Sequence, residues 1–293
     1  MGRTLIQLFI DGISMGIVYV LMAAGFNLIM SVEKILFLPF AQFYMLGAYF
    51  AWYLMVPVHT HFVVALLVAA VGTGVLGGIA FVISYRWVQY KEGQFLTNIL
   101  VGIGWMLIIT QVALKLFGTE ARGIPSVFHG TLRIAGLNIS TEKAVAIGVG
   151  ILVLLALQFM LQRTRIGRAM RAVSFNSDVA ALQGVNSTRV FTFTMAFGCA
   201  LAGFAGALLA PVFAVTTQVG SYAFLVPLVV LLGGLGSMLG AILSGLLFGM
   251  ALSYGQFYLG GGQAQIGFFV VVGLVLMLRP GGILGKSKGD IPL

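Results

Sequence analysis

Charge is what this sequence has least of. Of its 293 residues only 8% are Asp, Glu, Lys or Arg and 60% are hydrophobic, whereas soluble domains carry about 25% charged residues. So little charge excludes a water-soluble globular domain and makes the chain an integral membrane protein. Its one cysteine, Cys199, excludes an intramolecular disulfide and leaves a thiolate metal centre without ligands. Histidine is scarce too: His59, His61 and His129 stand outside any His-Glu-x-x-His setting. The pair His59 and His61 has no carboxylate or thiol close by, short of the about four ligands of a closed metal site. No Gly-x-x-x-x-Gly-Lys-Ser/Thr occurs, so the chain has no P-loop of its own to bind ATP. No enzyme motif and no resident cofactor is expected.

Acids are rarer than bases, 7 against 16, and residues 190–278 carry no charge at all. Ion-coupled carriers usually keep Asp, Glu or His inside the membrane to hold the coupling ion. Here the acid nearest a span is Asp11, at that span's outer end, where an interfacial or helix-starting role is expected. Energy is therefore expected to enter from another subunit. The net charge of +9 would suggest nucleic acid in a soluble protein. In a membrane protein it marks basic cytosolic loops, and no nucleic-acid partner is expected.

Uncharged runs locate the spans, since a crossing helix needs roughly 20 apolar residues. Residues 12–32 form one run. Residues 35–85 are too long for one helix and are cut by Pro57, His59 and His61, so they hold two. Residues 93–114 and 144–162 add a fourth and a fifth, joined by a polar loop at 117–143. The run 190–278 holds three more and a broken or re-entrant piece near 224–237. The expected fold is all-α, a polytopic membrane protein of about eight transmembrane helices with one or two broken or re-entrant segments. It is read as a single domain over 1–293. The N-terminus leads into an apolar run without a small-residue cleavage site, so it is expected to be retained. With the basic segment 162–189 inside, alternation places the 86–91 and 33–34 loops and the C-terminal tail inside, and the 117–143 loop and the N-terminus outside.

Segment 162–189 is where the charge collects: five arginines against one acid, Asp178. Ile166, Met170 and Val173 recur at helical spacing, giving a first short helix an apolar face and an arginine-lined face. Ser177 is the expected N-cap of a second helix, with Asp178 at its exposed amides and Gly184 ending it in the left-handed conformation. Two stretches interrupt the grease elsewhere. Leu36-Phe-Leu-Pro-Phe-Ala-Gln42 contains Pro39, which removes an amide and breaks a helix. Leu232-Gly-Gly-Leu-Gly-Ser237 follows Pro227. Paired interruptions are the best sequence pointer to a transport path. The candidate path residues are therefore Pro39, Phe40, Gln42, Gly233, Gly234, Gly236 and Ser237, and Gly102 and Gly104 of the 93–114 run are counted with them. Most other glycines, such as those of Gly236-x-x-x-Gly240 and Gly245-x-x-x-Gly249, are expected to serve close helix packing. A stand-alone carrier or channel, selective at the two interruptions, is the alternative reading of these features.

Several motifs, in order and over nearly the whole chain, carry a resemblance. Met45-Leu-Gly-Ala-Tyr49, Gly102-Ile-Gly104, Phe117-Gly118 with Arg122 and Pro125, Thr164-Arg-Ile-Gly-Arg-Ala-Met-Arg-Ala-Val173, Leu232-Gly-Gly-Leu-Gly-Ser237 and Arg279-Pro-Gly-Gly-Ile-Leu-Gly285 resemble the permease subunits of bacterial ABC importers of the branched-chain amino acid type, the LivH/LivM family. Asp178-Val-Ala-x-x-x-Gly184 is similar to the ABC permease Glu-Ala-Ala-x-x-x-Gly motif, with Asp for Glu and Val for Ala. The resemblance implies an inner-membrane subunit that pairs with a second, related or identical permease in the lipid bilayer. Two cytosolic ATP-binding subunits would drive it and a periplasmic binding protein would deliver the solute. It implies that Asp178, Val179, Ala180 and Gly184 belong to the helix that couples to the ATPase; Arg165 and Arg168 beside it are expected to pair with acids of the ATPase or with lipid phosphates. One departure stands out: where the family commonly has Asn-Phe-Ala-His/Gln-Gly, this chain has Phe37-Leu-Pro-Phe-Ala41. Loss of hydrogen-bonding groups weakens discrimination among polar ligands. The substrate expected is a small solute, an amino acid, amide, urea or organic acid.

Overall fold

The computed structural model describes residues 2–88, 94–125, 130–134, 137–217, 225–279 and 281–284. Twelve helices are described: α1 (Gly2–Glu33), α2 (Phe40–Met55), α3 (Phe62–Ala80), α4 (Arg86–Val88), α5 (Gln94–Phe117), α6 (Thr141–Arg163), α7 (Arg165–Phe175), α8 (Ser177–Leu182), α9 (Ser187–Leu209), α10 (Val226–Gly233), α11 (Met238–Tyr258) and α12 (Gly261–Leu278). A π-helical turn, Phe81–Tyr85, joins α3 to α4. The polar loop expected at 117–143 contains a small antiparallel hairpin, β1 (Thr131–Ile134) and β2 (Leu137–Ser140), with Thr131 opposite Ser140. The rest of the described architecture is helical.

Six helices are long and apolar enough to cross a membrane: Thr4–Glu33, Phe62–Val88, Leu96–Phe117, Thr141–Arg163, Ser187–Leu209 and Met238–Tyr258. With the shorter α2 and α12 they correspond to the eight spans expected from the uncharged runs of the sequence. The eight-residue α10 is about 12 Å long at 1.5 Å per residue, too short to cross, and matches the broken piece expected near 224–237.

Burial divides the bundle into a core and a coat. α1 and α9 are largely buried, with α2, α3 and α11 packed on them. Glycine permits these crossings. A Cβ on Gly249 would collide with the Gly16 backbone, and one on Gly245 with the backbone of Val20. The Gly245-x-x-x-Gly249 pair thus lets α11 lie against α1. Ser253 Oγ donates to the Leu8 carbonyl at 2.8 Å across the same contact. Gly236 behaves otherwise: nothing lies within 4 Å of its Cβ position, and its φ is +79°. It serves a turn, so the packing role expected from Gly236-x-x-x-Gly240 holds for Gly240 alone, which presses on Gly233.

α5 and α6 form the coat. Leu96, Leu100, Leu107 and Leu116 of α5 and Leu152, Leu155 and Phe159 of α6 are exposed, as suits helices that face hydrocarbon. Asp11 joins coat to core through an ion pair with Lys143, Oδ1 to Nζ 2.8 Å, but α1 begins at Gly2, so Asp11 stands inside the helix and not at its start as expected.

Candidate functional site

The arginine-rich segment folds into two short helices, each with a side-chain cap. Thr164 caps α7 by accepting from the Gly167 amide at 3.1 Å. Asn176, and not Ser177, caps α8: its Oδ1 accepts from the amides of Asp178 at 2.9 Å and Val179 at 3.2 Å. Asn176 is extended (φ −156°, ψ 113°), the conformation that lets a side chain reach amides two and three residues on. Ser177 is already in the first turn. Asp178 stands in that first turn as expected, and Gly184 takes φ +83° just past the end of α8.

The buried face of α7 also differs by one position from the expectation. Met170 and Val173 are buried, but Ile166 is exposed and Gly167 is buried in its stead. A Cβ at Gly167 would strike the carbonyls of Met160 and Leu161, so the end of α6 approaches α7 too closely for any side chain. Arg171 donates to the Leu161 carbonyl, fastening the same corner. Arg165 and Arg168 remain exposed. Ala180 is buried, whereas Phe175, Val179 and Leu182 are 88%, 50% and 89% exposed. The unit therefore shows a basic and an apolar surface together.

The first interruption is a buried turn leading into a helix start, not a break inside a span. α1 ends at Glu33, Lys34 takes φ +56°, and the chain turns back through residues 35–38 into the bundle, where Ile35, Phe37 and Phe40 are buried. Pro39 sits immediately ahead of α2, where its missing N–H costs no helical hydrogen bond. Phe40 packs edge-on against Phe26, centroids 5.5 Å apart. α5 approaches this turn at Gly102, whose Cβ position lies 3.4 Å from Leu38 Cβ and 3.5 Å from Pro39 Cδ. Gly104 points elsewhere, with nothing within 4 Å, while Trp105 Nε1 donates to Ser84 Oγ at 2.9 Å and ties α5 to the π-helical turn. Around the turn, Gln42 Oε1, Tyr85 Oη, Asn98 Oδ1 and both oxygens of Glu33 are buried without a hydrogen-bond partner among the described residues. Buried polar atoms are ordinarily satisfied, so this concentration sets the region apart.

At the second interruption the freed backbone groups are satisfied by protein. Gly234 (φ +101°) and Gly236 (φ +79°) reverse the chain between α10 and α11. The Gly236 amide donates to Asn27 Oδ1 at 2.9 Å, and Ser237 Oγ accepts from the Gly240 amide at 3.0 Å as the cap of α11. The last carbonyls of α10 accept from the tail: Ile283 N to Leu232 O is 2.8 Å and Leu284 N to Gly233 O is 3.2 Å.

Two cavities border α7. The larger, about 850 Å³, is lined by Glu33, Lys34 and Leu36 beside the first interruption, by Asn98, and by Ser177 and Asp178 of α8. The smaller, about 290 Å³, is lined by Asn27, by Gly236 of the second interruption, and by Met170 and Arg171 of α7. The structure therefore gathers Pro39, Phe40, Gln42 and Gly102 at the first interruption and Gly233–Ser237 at the second, and a cavity beside each reaches α7. Where α2 meets the end of α5, Tyr49 stacks on Phe117 at 4.3 Å and the Arg122 guanidinium lies 5.0 Å over the Trp52 ring.

Glu33, Asn98, Asn27 and Tyr85 were not among the residues singled out in the sequence. Glu33-Lys34 reads as an ordinary charged loop pair, and only the left-handed turn at Lys34 makes the acid a buried one. His59 and His61 are exposed in the α2–α3 turn, and His129 lies outside the described residues.

A charge-poor bundle with two interrupted segments over a capped basic platform is in keeping with a membrane transport protein of the permease class. Residues 8–279 match the family described as branched-chain amino acid transport system / permease component, and the chain belongs to that family, the one its motifs resemble. It is 29% identical to the high-affinity branched-chain amino acid transport system permease protein LivH of Salmonella typhimurium and to LivH of Escherichia coli K12. Each match covers 97% of this chain and 96% of the relative. BraD of Pseudomonas aeruginosa, of the same description, is 28% identical over the same shares. Among solved structures, PsaBC from Streptococcus pneumoniae in complex with Fab aligns over 92% of this chain and 94% of that chain. Its TM-score is 0.46 at 15% identity, too slight a likeness to carry an argument.

Proposed function

We propose that this chain is the inner-membrane permease subunit of an ABC importer, and that residues 162–189 are the coupling segment of its one transmembrane domain. In this reading a second permease completes the path, two cytosolic ATP-binding subunits hydrolyse ATP, and a periplasmic binding protein delivers the solute. The observation that carries it is the α7–α8 unit. Two rigidly capped helices expose Phe175, Val179 and Leu182 beside Arg165, Arg168 and Asp178, and exposed apolar groups clustered in this way mark a protein docking site. Because α7 borders both cavities, a rigid-body displacement of the platform reaches both interruptions at once. A stand-alone carrier has no use for such a unit.

The solute is of amino-acid size, in keeping with the names of the relatives. Phe37 and Phe40 are buried where hydrogen-bonding groups are common in the family, so selection among polar solutes falls largely to the binding protein.

Gentle solubilisation of the tagged chain from its own host, followed by mass spectrometry, tests the class. A sister permease and an ATPase in stoichiometric amounts are expected; recovery of the chain alone in several mild detergents would favour the stand-alone carrier. The path assignment has its own test at Ser237. Ser237→Trp should block uptake, whereas Ser237→Ala, which loses only a helix cap worth ~1 kcal/mol, should keep most of it. Equal uptake in the two variants would remove Ser237 from the path.

A further inference from the structure

The smaller cavity is lined by one charged group, the Arg171 guanidinium, and by no acid. A space of about 290 Å³ is about 8 Å across, the small end of the range for ligand pockets, so groups on its lining reach one small molecule. Among the described residues Arg171 forms no ion pair. Its Nη1 donates to the Leu161 carbonyl, and Leu161 also lines the cavity. One arm of the fork is fixed there, and no described hydrogen bond uses its other N–H donors. Asn27 of α1 lines the same cavity and is only 4% exposed. Its Oδ1 accepts from the amide of Gly236, itself on the lining, at 2.9 Å. Only the oxygen end of an asparagine meets a backbone N–H, so the end left over is the NH₂ donor. Ser31 and Ser174 add hydroxyls, and Leu28, Val32 and Met170 add apolar surface. A cation and a neutral donor with no acid beside them recognise an anionic oxygen pair and offer an ammonium group no counter-charge. One positive charge balances a monoanion, and the apolar surface suits an aliphatic chain better than the further charged oxygens of a phosphate.

We propose that this cavity binds a small aliphatic carboxylate, held by Arg171 and Asn27 with no amine required. The ligand is either the transported solute or a free carboxylate of the cytosol. The solute form rests on the transport reading above; the site itself does not. Because Met170 and Arg171 of α7 and Gly236 of the second interruption line the same space, an occupant touches the coupling segment and that interruption together.

The test uses the full chain with its co-purified partners in lipid nanodiscs. Phenylglyoxal, which modifies guanidinium groups, is applied, and modification of each arginine is read by peptide mass spectrometry. Leucine is compared with 4-methylpentanoate, which lacks its amine, with 3-methylbutylamine, which lacks its carboxylate, and with phosphate, all at equal ionic strength. Arg165 and Arg168, exposed and not part of the cavity lining, are the internal reference. 4-Methylpentanoate should slow modification of Arg171 roughly fivefold once it exceeds its Kd severalfold, and should leave Arg165 and Arg168 unchanged. Leucine should protect as well, and 3-methylbutylamine should not. Asn27→Asp keeps an acceptor for the Gly236 amide but sets a negative charge against the ligand, and should shift protection to roughly tenfold higher concentration. An Arg171 that never reacts, no protection by either carboxylate, or parallel slowing at all three arginines would overturn the site. So would protection by the amine equal to that by the acid, or stronger protection by phosphate. Uptake by cells carrying the complete transporter separates the two sources. Uptake of a protecting carboxylate assigns the site to the solute, and protection without uptake assigns it to a cytosolic ligand and counts against the transport reading alone. Uptake without protection sinks the site alone.

Discussion

Gly184→Pro should abolish uptake and solute-stimulated ATP hydrolysis in the assembled transporter while leaving membrane insertion intact. Gly184 has φ +83°, and proline is locked near −65°, so the chain leaving α8 would have to turn the other way. The substitution also removes the amide that donates to the Ala181 carbonyl at 3.0 Å. The damage stays local because Gly184 is exposed and nothing lies within 4 Å of its Cβ position. A loss of tenfold or more is expected, since each ~1.4 kcal/mol of impaired docking is a factor of ten in an equilibrium constant. Gly184→Ala separates direction from bulk: it meets no neighbour and bears only the left-handed penalty of about 1–2 kcal/mol, so it should keep partial activity. Normal uptake by Gly184→Pro would remove coupling from α8.

The second large effect is on stability. Gly47→Leu should prevent recovery of a folded, monodisperse protein or lower its thermal midpoint sharply. A Cβ at Gly47 would fall on the Gly203 backbone, where α2 crosses α9. α9 has no room to retreat, because Gly203 also meets Thr73 of α3 and Gly198 meets Ile29 and the Gly25 carbonyl of α1. Overpacking among side chains costs typically ~1–3 kcal/mol. Here the obstacle is backbone held by two further crossings, which places the expected cost at or above the upper end. Gly267→Leu is the matched control, an exposed helical glycine with nothing within 4 Å, and should change stability by no more than about 0.5 kcal/mol. Equal melting of the two variants would mean that α2 and α9 are not in backbone contact.

Much of this architecture is legible in the sequence because membrane solvation leaves few choices. Uncharged runs must be helices, so the spans and the short α10 follow from hydropathy and from Pro227 and the glycines. The platform is legible for a different reason: Thr164, Asn176, Asp178 and Gly184 are local signals that act within a few residues. Local rules also miss by a residue. Asn176 and Ser177 are both good caps, and the choice between them is set by the extended backbone at Asn176. Helical spacing groups Ile166 with Met170 and Val173, but the close approach of α6 selects Gly167. Pro39 reads as a break within a span because the sequence shows no charge after Lys34, whereas the chain turns at Lys34 and begins a helix at Phe40. Glu33, Asn98 and Asn27 owe their positions to contacts between distant segments, which no local pattern encodes.

The pairing of Ile283 and Leu284 with the last carbonyls of α10 has a consequence for biogenesis. α10 leaves the ribosome long before the residues that satisfy its final turn exist. Until Ile283 and Leu284 have been made, the Leu232 and Gly233 carbonyls lack these donors, and the α10–α11 turn rests on Asn27, Ser237 and its own backbone hydrogen bonds. Completion of the α10–α11 turn is thereby delayed until the segment after α12 has been made, and a chain cut short before Ile283 carries an unfinished turn for a membrane quality-control protease to find.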